Sequence, residues 1–92
     1  MKVMATWSAK FGCIPECIRR FLAGQGAPGA GVTLLGRWHA TDLSMGFSLF
    51  ESNDPAALYA SAAQWADVLD LKNVLVIEDA DVGPILASLG KQ

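Results

Sequence analysis

Two stretches with helical spacing divide the strand-like segments of this chain into an order that few folds satisfy. Residues 13–23 place Ile14, Cys17, Ile18, Phe21 and Leu22 at i, i+3, i+4, i+7 and i+8, one apolar stripe with Glu16, Arg19 and Arg20 opposite. Gly24 is a natural stop, and Gln25 to Gly31 reads as loop. The second helix opens at Ser52-Asn53-Asp54-Pro55, where Asp54 can cap free amides and Pro55 suits the first helical position. Leu58, Ala62, Trp65, Ala66 and Leu69 give its stripe, and its alanines allow close approach to a sheet. Around these helices, residues 2–8, 32–39, 45–51 and 73–78 read as strands, and a short helix over 82–89 stops at Gly90.

The order is strand, helix, strand, strand, helix, strand, with a tail helix. The short polar link Ala40–Ser44 predicts a hairpin between the second and third strands. Right-handed crossovers put both helices on one face of an antiparallel sheet, in the spatial order four, one, three, two. This is an α+β, ferredoxin-like arrangement, expected as one domain over residues 1–92. The more uniformly apolar parity (Val3, Ala5, Trp7; Val32, Leu34, Trp38; Phe47, Leu49) is assigned to the helix side. That leaves Met4, Thr6, Ser8, Thr33, Leu35, Arg37, His39, Gly46, Ser48 and Phe50 on the open face. A one-residue bulge would invert part of this assignment.

The chain is 52% hydrophobic and 17% charged, whereas a soluble domain is nearer about 25% charged. A small domain has more surface per residue and needs more polar cover, so part of the surface is expected to be covered by a partner. Abundant alanine, cheap to expose, is the competing explanation. Stacking two open sheets face to face predicts a homodimer. The net charge of −2, with no basic cluster beyond Arg19-Arg20, argues against nucleic acid. No apolar run approaches the ~20 residues of a membrane span, and residues 1–8 make a poor signal peptide, so a cytoplasmic location and no membrane partner are expected. Cys13 and Cys17 sit four apart on one helix face, poorly placed for a disulfide, and with one histidine they form no familiar zinc spacing. Two reduced cysteines are expected, with no metal and no cofactor.

The strings Thr6-Trp7-Ser8, Gly36-Arg37-Trp38-His39, Gly46-Phe47 and Glu51-Ser52-Asn53-Asp54-Pro55-Ala56-Ala57-Leu58-Tyr59 resemble a small uncharacterised microbial family of the dimeric α/β-barrel superfamily. The resemblance covers nearly the whole chain, and Gly-Arg-Trp-His is its most distinctive part. The Cys-containing first helix departs from the pattern. The resemblance implies the dimeric barrel fold and transfers no reaction. The superfamily mixes cofactor-independent monooxygenases, isomerases, haem enzymes and stress-related proteins.

His39, the sole histidine, is the weak catalytic candidate: a general base or haem ligand, against a strand-end histidine making one hydrogen bond. Arg37, two residues away, would hold an anionic ligand, or else form a salt bridge. A His39–Glu51 dyad would need a partner subunit, because the two end opposite ends of the sheet. Trp65 reads as core, and Trp7 and Trp38 as core or pocket wall. The expected binding set is Arg37, His39, Thr6 and Ser48, in a pocket between two sheets. Two functions remain open: a homodimeric domain binding a small apolar acid or carbonyl compound, perhaps a cofactor-free enzyme, or an accessory dimerisation module without turnover.

Overall fold

The first strand, β1 (Lys2–Ala9), is central: it pairs antiparallel with both β3 (Gly46–Glu51) and β4 (Leu69–Val76). β2 (Thr33–His39) adds to the far side of β3, giving the four-stranded order β2-β3-β1-β4. This is the expected order read from the other edge. A computed structural model describes residues 1–90. The helices are α1 (Ile14–Arg20), α2 (Pro55–Ala63) and α3 (Asp79–Gly90). α1 and α2 both lie over one face of the sheet, as the crossover argument requires.

Local chemistry fixes the helix ends. α1 has Glu16 in its first turn and Arg19 and Arg20 in its last, the arrangement the helix dipole favours. It widens into one loose turn over Phe21–Gln25, where Gly24 takes a left-handed φ of 84° that only glycine adopts cheaply. α2 starts as expected: the Asp54 carboxylate accepts from the Ala56 and Ala57 amides at 3.0 and 3.2 Å. The buried Ser52 hydroxyl donates to the Gly31 carbonyl at 2.7 Å and accepts from the Asp54 amide at 3.0 Å. It ties the loop before β2 to the start of α2.

The second helix is shorter than its stripe suggested, and β4 begins at Leu69 instead of residue 73. After Ala63 the chain turns, with the Val68 and Leu69 amides donating to the Trp65 carbonyl at 3.0 and 2.8 Å. Leu69 therefore belongs to the strand, where Leu69, Leu71 and Asn73 lie opposite Ala9, Trp7 and Ala5. An apolar residue that suits both a helical and an alternating pattern was claimed by the wrong one.

The face assignment holds for β1 and inverts for β3 and for β2 beyond Gly36. Val3, Ala5 and Trp7 lie under the helices, and their β3 neighbours are Phe50, Ser48 and Gly46. Directly paired residues share a face, so Phe47 and Leu49 point the other way. Size explains the choice: a Cβ on Gly46 would stand 2.0 Å from the Trp7 ring, so the indole occupies the space a larger β3 side chain would need. In β2 the register slips between Leu34, opposite Phe50, and Gly36, opposite Leu49. The hairpin register puts Arg37 and His39 on the helix side and Trp38 on the open side, and the bulge lets Leu34 share the helix side with them.

The open face therefore carries Met4, Thr6, Trp38, Phe47, Leu49 and Val74, with Trp38 57% exposed. α3 stands clear of the sheet. Ile85, Leu86 and Leu89, at 56%, 59% and 57%, share one exposed side with the half-buried Val82. The radius of gyration is 15.9 Å, against about 12 Å for a compact chain of this length.

Candidate functional site

A cavity of about 370 Å³ lies between the sheet and the two helices that cover it. Its floor includes Trp7, Arg37, Ser48 and Leu71, and its roof includes Phe21, Leu58 and Trp65. The lining is mainly apolar with a few polar groups, among them Arg37, His39, Ser48 and Asn73, the usual composition of a small-molecule pocket.

Arg37 is the distinctive group. Its guanidinium is half-buried, donates to the Gly26 carbonyl and sits 5.6 Å from the centre of the Phe21 ring. Among the described residues no carboxylate pairs with it. Burial pushes its pKa down, since a desolvated cation is disfavoured, yet arginine stays charged at neutral pH. A half-buried cation facing an apolar cavity, held by a carbonyl and a ring, retains donors for an anion.

His39 stands beside it at the mouth, exposed, with edge-on contacts to Trp7 at 5.4 Å and Phe21 at 5.6 Å. Ser48, 1% exposed, accepts from the Trp7 indole N–H at 3.4 Å. The structure thus brings together three of the four residues expected to bind, Arg37, His39 and Ser48, but under the helices and not on the open face. Thr6 is separated from them: it lies on the open face, between Phe47 and Lys72. Glu51 binds the Met1 amino group at 2.8 Å, while His39 pairs with Gly46 at the other end of β3, so no dyad forms within the chain. Among the described residues no group of three His, Cys, Asp or Glu side chains could hold a metal ion.

Sequence reasoning missed Phe21 and Gly26 as companions of Arg37. Phe21 counted only as stripe and Gly26 only as loop, and no spacing rule links either to residue 37. Trp7, read as core or pocket wall, is wall, and Trp38 is neither: it lies on the open face.

An ion-pair clasp holds α1 over the cavity. Arg20 donates to the two Asp67 oxygens at 3.0 and 2.7 Å, reaches the Gln64 carbonyl at 3.3 Å and lies 5.8 Å from the centre of the Trp65 ring. Glu16 accepts from Arg19 at 3.0 Å and from Arg20 at 3.2 Å. These bonds hold the Glu16 carboxyl down from 4.5 to about 2, and the Arg20 bond lowers Asp67 too. Depressed carboxyls contribute above their unfolded values and lose that contribution as pH falls through the folded ones. Acidification from about pH 4.5 towards 2 is therefore expected to loosen α1 and shift Trp65 emission to the red. Glu16→Gln should flatten the part of that transition due to Glu16; an unchanged acid profile would mean the clasp does not hold the helix.

A family model described as a domain of unknown function (DUF3303) matches residues 1–90. No curated protein and no solved structure matches the chain.

Proposed function

The chain belongs to the DUF3303 family, and from that premise we propose that it is a homodimeric, ferredoxin-like single domain that binds a small apolar acid or carbonyl compound in the cavity between its sheet and helices. The half-buried Arg37 without an acidic partner carries this reading. Arg37 holds the ligand's oxygen, the aromatic and aliphatic walls take its body, and Ser48 closes the floor. If chemistry follows, His39 at the mouth is the group that exchanges a proton, and no cofactor is invoked. The superfamily of dimeric α/β barrels, stacked through their open faces, and a cytoplasmic location belong to the same proposal.

The second reading, an accessory homodimerisation module, is favoured by one observation: Phe21 and the Gly26 carbonyl already occupy part of the Arg37 guanidinium. Two measurements decide. Sedimentation at low micromolar concentration should give twice the 9.8 kDa chain mass, and a 9.8 kDa species would overturn the dimer. Titration with 1-naphthoate, a fluorescent apolar carboxylate, should saturate at one site per protomer and be displaced by octanoate. Absence of binding at millimolar naphthoate would leave the module reading.

A further inference from the structure

We infer that α3 is an exchanged arm, which packs the Val82, Ile85, Leu86 and Leu89 stripe against a second copy of this chain. The inference rests on the homodimer reading and adds to it the element that makes the dimer stable.

Three observations carry it. First, the stripe follows the i, i+3, i+4, i+7 pattern of a helix built to be covered, yet three of its four side chains are more than half exposed. Second, its own sheet does not take it. α1 and α2 occupy the helix side, and only Ile77 and Glu78 separate β4 from α3. Glu78 is ion-paired with Lys2 and its carbonyl accepts from the Asp81 and Val82 amides at 2.9 and 3.1 Å, which fixes the direction in which the helix leaves. A 12-residue helix adds about 18 Å, and the molecule is 53 Å long but 30 and 18 Å across.

Third, the areas favour it. A compact protein of 9.8 kDa exposes about 5,200 Å². This chain exposes 6332 Å², an excess of roughly 1,100 Å² by that scaling. The open face is modest: four strands about 4.8 Å apart and some 23 Å long span about 440 Å² in plan. Two such faces stacked cover about 900 Å² in plan, which puts a sheet-only contact near the small end of specific interfaces, ~1,200 Å² of accessible surface. Two reciprocal arms enlarge it, because each buries its stripe and an equal patch of the partner. A second copy is the fitting occupant because a two-fold axis lets each chain both give and receive the same apolar arm.

The test compares the full chain with its Ile85→Asp/Leu89→Asp double variant by sedimentation equilibrium, with circular dichroism and thermal unfolding of the monomeric species as folding controls. Leu86→Ala serves as a milder variant. Losing buried interface anchors of this size should raise the dimer dissociation constant at least ~30-fold in the double variant. Naphthoate binding per protomer should not change. A wild-type dimer whose dissociation constant is untouched by either variant overturns the arm and leaves the dimer standing. A monomeric wild-type chain overturns both.

Discussion

Arg37→Ala should fold like the wild type while binding 1-naphthoate roughly 10- to 100-fold more weakly. The magnitude follows from the ~1.5–3 kcal/mol carried by a hydrogen bond to a charged group, with about 1.4 kcal/mol per tenfold in affinity. The fold should survive because the side chain joins only the Gly26 carbonyl and the Phe21 ring, and Gly26 lies in an irregular segment. A control separates charge from shape: 1-naphthamide, lacking the carboxylate, should lose much less affinity. Arg37→Lys should recover only part of the binding, since an ammonium does not reproduce the planar fork that donates to a carboxylate while resting on a ring. Isothermal titration of the three proteins with both probes reads this directly. Equal affinity of the wild type and Arg37→Ala for naphthoate would remove Arg37 from the site.

The largest effect on stability is expected at Gly46. An added Cβ would lie 2.0 Å from two atoms of the Trp7 ring, well inside any tolerable separation, so either the indole or the strand must move. Trp7 is constrained: its N–H donates to Ser48, and its ring meets His39 edge-on. Overpacking of this kind costs about 1–3 kcal/mol, and each kcal/mol lowers the melting temperature of a domain this size by about 4–8 °C. Gly46→Ala should therefore melt some 4–24 °C below the wild type by those values. Trp7→Phe in the same chain should restore part of the loss by shortening the ring. A melting temperature within 2 °C of wild type would show that the indole relaxes freely.

Strand order was legible because it follows from element sequence and crossover handedness, which do not depend on which side chains point where. Helix starts were legible where a chemical signal marks them, as at Asp54-Pro55. Face assignment was not, and the reason is specific. The parity rule gave Phe47 and Leu49 to the core because they are apolar, whereas the Trp7 ring needs the space beside Gly46, and that sets the parity of β3. On this sheet both parities are apolar, and hydrophobicity alone cannot choose between them. The candidate pair Arg37 and His39 was legible as a pair, since residues two apart on a strand share a side. Its surroundings were not, because Phe21 and Gly26 reach it from another part of the chain.

The bulge at Leu34–Gly36 uncouples the two ends of β2. The hairpin end is held in register with β3, His39 opposite Gly46 and Arg37 opposite Ser48, so a chain without Leu35 would lose the extra residue and still keep Arg37 and His39 beneath the helices. Flattening the bulge at constant length would act on the other end, setting Leu34 opposite Glu51 and turning it to the open side. A single-codon insertion or deletion upstream of Gly36 therefore leaves the address of the polar pair intact, and only a change in the hairpin link would move it.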